Sequence, residues 1–158
     1  MGSPTSTLLN KLQHAGGQVV VLNAPEAFVP VMDKWRSDGL PVSQRRTPGS
    51  RFVLAFVRNC GEIERNAGAI VSSVGADGIL WFAFPKQSSP HYHSDITRDG
   101  SWSLLGRMGF EGVRQVAIDD DWTALRFRHV DHIRTMRRDP SRAISTAGRQ
   151  RTAGQGRQ

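Results

Sequence analysis

The sequence predicts an α/β fold: a three-layer Rossmann-like sandwich around a mostly parallel sheet, with elements in the order βαβαβαββ. Three apolar runs of strand length, residues 18–23, 51–58 and 78–85, have no polar face, which is typical of strands buried on both sides. Segments with helical spacing lie between them, which favours parallel crossovers. Residues 112–119 and 122–129 predict two more strands, and their short connection makes them a C-terminal antiparallel hairpin.

Two helices are predicted around the first strand. Residues 6–17 form a short helix that ends at Gly16-Gly17, because glycine adopts the backbone conformation that stops a helix. Residues 24–39 form the second, with Asn23 as the candidate cap. Pro30 should shorten or kink that helix, because proline removes a backbone donor.

Two more helices are predicted further along, after a polar loop at 40–50. Residues 60–75 carry apolar side chains at helical spacing and end at Gly75. Residues 94–110 show a similar but rougher spacing. Three crossovers and a hairpin therefore give a sheet with one antiparallel strand.

Composition limits the classes of protein. The chain of 158 residues, 38% apolar, has the size of one domain with a real core. No apolar run is long enough to cross a bilayer, and the N-terminus lacks the pattern of a secretory signal, so no membrane contact is expected. The single cysteine, Cys60, forms no internal disulfide and fits a reducing cytoplasm. The sequence leaves the oligomeric state open.

The positive charge is concentrated at the C-terminus. The predicted domain is residues 1–133, and residues 134–158 are poor in large apolar groups, which predicts a disordered tail. The tail has one acidic residue, Asp139, so it holds six of the seven net positive charges. Such a tail can neutralise nucleic-acid phosphates without sequence preference. Its candidate nucleic-acid-binding residues are Arg134, Arg137, Arg138, Arg142, Arg149, Arg151 and Arg157.

Ligands of an open parallel sheet sit beyond the carboxyl ends of its strands. The residues expected there supply positive charge and hydrogen-bonding groups, which suit a small anionic ligand such as a phosphate or carboxylate. The alternative is structural: Lys86 caps the sheet edge, Ser94 or Asp95 caps the helix that starts there, and Asp95 pairs with Arg98 one turn on. The candidate ligand-binding residues are Asn23, Arg58, Lys86, Ser88, Asp95 and Arg98.

Three other features suggest chemistry but have simpler explanations. His91 and His93 form H-x-H-x-D with Asp95, yet a solvated loop is favoured over a metal site. Cys60 precedes a helix but has no catalytic partner in sequence, so an inert thiol is favoured. The aspartates at 119–121 are typical turn residues. We therefore predict no catalytic residues and no metal.

No cofactor is predicted either. A dinucleotide or methyl-donor site needs glycine after the first strand, where the sequence is "NAPEAF". The G-x-x-x-x-G-K-[ST] loop, the G-x-S-x-G elbow and paired cysteine clusters are also missing from the sequence.

Four motifs carry a resemblance to a known family. "KLQHAGGQVVVLNAPEAF", "ILWFAFPK", "SDITRD" and "VAIDDDWTALRFR" together resemble the bacterial family called domain of unknown function 3052, over roughly residues 8–128. The sequence departs from it in Thr123, where serine is usual, and in an insertion at 91–93. No activity comes with the family. The matching positions are Asn23, Pro25, Trp81, Pro85, Lys86, Ser94, Asp95, Arg98, Asp119, Asp120, Trp122, Leu125, Arg126 and Phe127.

The order of elements also resembles the later half of a class I methyltransferase, which likewise ends in a hairpin with one antiparallel strand. Because the glycine-rich loop is missing, the favoured interpretation of that resemblance is a relic that no longer binds the methyl donor.

The function ranked first is a small non-catalytic binding or regulatory protein that recognises an anionic ligand or a protein partner at the strand ends. The second is nucleic-acid association through the arginine-rich tail. The third is an enzyme that acts on a small anionic substrate with Lys86 and either Asp95 or Cys60, because a buried lysine can serve as base or nucleophile.

Overall fold

Six strands form the sheet in the part of the chain that this computed structural model describes, residues 4–97 and 100–133. The strands are β1 (Val19–Leu22), β2 (Val42–Ser43), β3 (Ser50–Phe56), β4 (Val74–Pro85), β5 (Phe110–Ala117) and β6 (Trp122–His129). The helices are α1 (Pro4–Lys11), α2 (Val29–Ser37), α3 (Cys60–Ser73) and α4 (Ser103–Arg107), with 3-10 turns at Glu26–Phe28 and Val130–His132.

The strand order across the sheet is β2-β1-β3-β4-β6-β5. Strand β1 pairs parallel with β2 and β3, and β3 pairs parallel with β4. Strand β6 runs antiparallel to both of its neighbours, β4 and β5. This arrangement confirms the predicted fold class, including the hairpin and its one antiparallel strand.

Successive side chains of a strand point to opposite sides of the sheet, and in the central strands both sets of side chains are apolar. On β4, Leu80, Phe82 and Phe84 belong to one buried cluster, whereas Trp81 and Ala83 belong to the other. Helices α3 and α4 cover the first face, and α2 covers the second. Burial on both faces explains why the central strands lack polar alternation.

At the first crossover the predicted cap is wrong, whereas the shortening expected from Pro30 is found. Asn23 does not cap a helix: its φ is +56°, and the chain continues through the 3-10 turn at 26–28 before α2 begins. Pro30 lies in the first turn of α2, where its missing N–H is tolerated, and α2 is shorter than the helix predicted over 24–39. Strand β2 lies in the segment that was expected to be a polar loop.

The helix predicted over residues 94–110 is reduced to the five residues of α4. Side-chain hydroxyls satisfy the backbone before it: Ser94 Oγ accepts from Ile96 N at 3.1 Å, and Ser101 Oγ accepts from Thr97 N at 2.8 Å. Such local hydrogen bonds compete with helix formation. The segment nevertheless buries Ile96 and Trp102, which produced the apparent helical spacing.

We predict opposite effects for two glycine-to-alanine variants. In Gly78→Ala the new methyl would lie 2.7 Å from the Ser50 carbonyl oxygen and from Val74 Cγ1. That overlap should cost about 1–3 kcal/mol of the free energy of unfolding. Gly68 in α3 has open space around it, so Gly68→Ala should stabilise the protein by about 0.5–1 kcal/mol. Urea unfolding of both variants checks this, and a Gly78→Ala variant as stable as wild type would contradict it.

The ion pair between Asp77 and Arg128 predicts an acid-dependent loss of stability. Arg128 Nε and Nη2 donate to the two carboxylate oxygens at 2.8 and 2.7 Å, which lowers the pKa of Asp77 below 3.8. A depressed pKa stabilises the folded state above pH 3.8, and this contribution is lost as pH falls through the folded-state value. Asp77→Asn should therefore lower the melting temperature at pH 7, and the difference from wild type should shrink below pH 3.8.

Candidate functional site

The carboxyl ends of β1, β3 and β4 meet at one edge of the sheet, as expected for parallel neighbours. The structure divides the predicted ligand-binding residues at this edge into two groups. Asn23 and Arg58 line one cavity, and Lys86 and Ser88 line another. Asp95 lines neither of these cavities, and Arg98 lies outside the described residues.

The larger cavity, here called the Lys86 cavity, lies beyond the end of β4 and has a volume of about 820 Å³. Its lining mixes an apolar floor with hydroxyl and amide groups, and Lys86 is its single ionisable residue among the described ones. It is lined by Phe84, Pro85, Lys86, Gln87, Ser88, Ile96, Thr97, Gln115, Ala117 and Thr123. A volume of this size is typical of small-molecule sites.

The second site, here called the arginine cavity, lies beyond the ends of β1, β2 and β3. It consists of two hollows of about 300 and 480 Å³ that share Asn23 and Asn66. Its charged lining residues are Arg45, Arg46, Arg58, Glu62 and Arg65. Four cations and one carboxylate give the described lining a net positive charge.

Asp95 is bound to the start of α3. Its carboxylate accepts a hydrogen bond from Cys60 N at 2.8 Å, and that bond lowers the pKa of Asp95. Ser94 Oγ donates to the Arg58 carbonyl at 2.7 Å, so two adjacent side chains tie this loop to the end of β3. Cys60 Sγ contacts the Asp95 carbonyl and Ser101 Oγ at 3.6 and 3.4 Å. These contacts assign Asp95 to the start of α3, whereas the structural alternative placed it as a cap of the helix predicted over 94–110.

His91 contacts the hairpin turn. Its Nδ1 lies 3.0 Å from Asp121 Oδ1, and Ser89 Oγ donates to the same oxygen at 2.7 Å. The Ser89 hydroxyl, followed by His91, lowers the pKa of Asp121. Asp119 closes the turn by accepting from the backbone N–H groups of Asp121 and Trp122. The aspartates thus build a turn that holds the loop after β4.

Three other predictions concern a metal site, a membrane and the basic tail. Within residues 4–97 and 100–133, no three His, Cys, Asp or Glu side chains converge as a metal site would require. Over the same residues, none of the helices has the length and apolar character needed to cross a membrane. The predicted basic tail, 134–158, with its seven arginines, lies outside the described residues, so its binding of nucleic acid stays a prediction.

Sequence reasoning missed part of each cavity. Gln115 and Thr123 reach the Lys86 cavity from the hairpin, and only the pairing of β6 with β4 places them there. Arg45 and Arg46 reach the arginine cavity because β2 pairs with β1. The signal available was the pair "RR" inside a segment that was expected to be loop.

Solved structures share this fold. A putative type 11 methyltransferase from Sulfolobus solfataricus superposes with a TM-score of 0.51 at 10% identity, covering 87% of this chain and 98% of its own. A SAM-dependent methyltransferase from Aquifex aeolicus (TM-score 0.47, 11% identity) covers 80% of this chain and 89% of its own. The [4+2]-cyclase SpnF (TM-score 0.48, 10% identity) covers 79% of each. No family model and no curated protein matches the chain.

The chain therefore has the Rossmann-like fold of methyltransferases, which confirms the resemblance in fold. The resemblance to domain of unknown function 3052 is not confirmed by a family model. The function ranked first, a non-catalytic binding or regulatory protein, is corrected by the fold that the chain shares with the protein named as a putative type 11 methyltransferase.

The cofactor that this fold implies, S-adenosylmethionine, does not fit the residues after β1. Ala24 and Pro25 stand there in place of glycines, and Ala24 lines the cavity, so the backbone is not bare of side chains where a ligand would approach it. The sulfonium and ammonium groups of the cofactor are positive, and the four arginines beside this loop would repel them. The residues after β1 therefore do not support methyl transfer from this cofactor.

We predict that Asp95→Ala lowers the melting temperature, because the variant loses the hydrogen bond that Cys60 N donates to the carboxylate. Asp120 is an exposed turn residue, and Asp120→Ala serves as the charge-matched control. Thermal unfolding at pH 7 compares the two variants. Equal melting temperatures for Asp95→Ala and the control would contradict the capping role.

Proposed function

We propose that the protein is an enzyme that acts on a small anionic substrate bound in the Lys86 cavity. One observation carries the proposal: the cavity of about 820 Å³ lies beyond the carboxyl end of β4 with a half-buried lysine in its lining. This is the position where Rossmann-like sheets bind their ligands. The enzyme fold of the solved structures supports catalysis over simple binding.

The lining supports an anion as the substrate. Its described residues include no carboxylate, and no ion pair joins Lys86 to any described side chain. A half-buried ammonium attracts an anion more strongly than a fully solvated one, because less water screens it. Lys86 thus selects the charge of the substrate.

The other groups around the cavity select the rest of the substrate. Phe84 and Ile96 supply an apolar floor, and the Ser88 and Thr97 hydroxyls supply hydrogen-bonding groups. At the far wall Gln115 Nε2 donates to Thr123 Oγ1 at 3.1 Å. The lining fits a small molecule that has an apolar body and one anionic group.

The backbone holds Lys86 in place for this role. Its N–H donates to the Asp121 carbonyl at 2.7 Å, and its carbonyl accepts from Ser89 N at 3.0 Å. The turn at Asp121 therefore fixes where the lysine chain starts. A cation positioned in advance can stabilise negative charge that develops during a reaction without reorganising.

The test is turnover by the full chain of a mixture of small carboxylates and phosphate esters, followed by ¹H and ³¹P NMR. We expect the wild type to consume at least one compound and Lys86→Met to slow its consumption about 10²-fold, the effect of losing one positioned electrostatic group. The matched control is Lys11→Met, which removes an exposed lysine at the end of α1. Unchanged turnover by Lys86→Met would refute the proposal.

A further inference from the structure

We infer that the arginine cavity is a second binding site, which takes a ligand with a phosphate group. The inference goes beyond the proposed function, because within residues 4–97 and 100–133 the cavity shares no lining residue with the Lys86 cavity. The site joins the end of β1, the segment after β2, the end of β3 and the first turns of α3. Its two hollows together have room for a small phosphorylated molecule.

The charges in the cavity are not compensated within the described residues. Arg45, Arg46, Arg58 and Arg65 come from three separate segments, and none forms an ion pair with a described carboxylate. Glu62 is the one carboxylate among the described residues of the lining. Its Oε1 accepts a hydrogen bond from Arg58 N at 2.8 Å, which fixes it to the backbone.

Two backbone N–H groups at the start of α3 are already bonded to side chains and do not supply the site. Asp95 accepts from Cys60 N, and the side chain of Asn59 accepts from Glu62 N at 2.9 Å. The guanidinium groups are therefore the charged donors available to an anion in the cavity. Because these donors are side chains, each can be removed by a substitution that leaves the backbone hydrogen bonds of α3 in place.

Arg65 is folded toward this end of the helix. A Cβ added at Gly61 would lie 3.1 Å from Arg65 Nη1 and 3.2 Å from Asn59 Oδ1. The guanidinium thus lies over the first turn of α3. It lines the same hollow as Arg58. Absence of a side chain at Gly61 leaves the space that this conformation needs.

Phosphate is the anion that matches these groups. A phosphate monoester carries a charge of about −1.5 to −2 at neutral pH, whereas a carboxylate carries one negative charge. Guanidinium groups bind phosphate through two parallel N–H···O bonds, and several can share one phosphate. Four arginines against one carboxylate therefore favour a phosphate over a carboxylate ligand.

The test is isothermal titration of the full chain with inorganic pyrophosphate. The double variant Arg58→Gln/Arg65→Gln removes two cavity arginines. The matched control Arg51→Gln/Arg114→Gln removes two exposed arginines that line neither hollow. The basic segment 134–158 is present in every protein compared, so it contributes equally to each measurement. We expect the dissociation constant to rise at least about tenfold in the cavity variant and less than about twofold in the control.

Three results would overturn the inference. The first is no binding of pyrophosphate by the wild type. The second is equal weakening in both double variants, which would show a general effect of charge. The third is loss of binding in Lys86→Gln with full binding retained in Arg58→Gln/Arg65→Gln, which would place the anion in the Lys86 cavity and leave the proposed function standing. Unfolding temperatures of all variants, measured alongside, exclude a loss of fold as the cause.

Discussion

Strand β4 has to be apolar on both faces, and the rest of the structure depends on that constraint. It pairs parallel with β3 on one side and antiparallel with β6 on the other, so it joins the crossover half of the sheet to the hairpin half. Its residues 80–85 are all buried. The one polar group of the Trp81 side chain is satisfied inside the core, because its buried indole N–H donates to the Leu12 carbonyl at 2.9 Å. That bond ties the segment after α1 to the centre of the sheet.

The same strand determines where ligands can bind. An apolar strand must end at a point where the chain becomes polar, and β4 ends at Pro85 with Lys86 directly after it. The loop that follows would be free to move if the hairpin turn did not hold it. Asp121 holds the loop in two ways. Its carbonyl accepts a hydrogen bond from Lys86 N, and its carboxylate contacts the side chains of Ser89 and His91. A turn that looks like an acidic cluster in the sequence is thus a support for the mouth of a cavity.

The sequence predicts the parts of the fold whose signal is local. The three buried strands are visible because burial on both faces requires continuous apolar runs, and α3 is visible because one face of a helix repeats every 3.6 residues. Strand β2 is not visible, since two residues give no period and its parallel pairing with Val19 and Val20 is a contact distant in sequence. The helix predicted over 94–110 fails for a related reason: apolar spacing shows which residues are buried but does not show which backbone groups the serines satisfy.

The candidate site was predictable as an edge of the sheet but not as two cavities. The loop at 94–97 lies between Arg58 and Lys86. It is held there by the bond from Ser94 Oγ to the Arg58 carbonyl and by the bond from Cys60 N to the Asp95 carboxylate. Joining Arg45 to Arg58 requires β2, which the sequence does not reveal. Both steps rest on contacts between distant residues.

The residues after β1 show how one fold can present different chemistry. A strand that ends in glycine exposes backbone N–H groups to a ligand, whereas Ala24 and Pro25 cover that backbone with side-chain atoms. Recognition at this edge then passes from the backbone to side chains. In this chain those side chains are arginines, which favour an anion and oppose a sulfonium. The sheet and its crossovers need not change for this, because the arginines lie in loops and on the exposed side of α3.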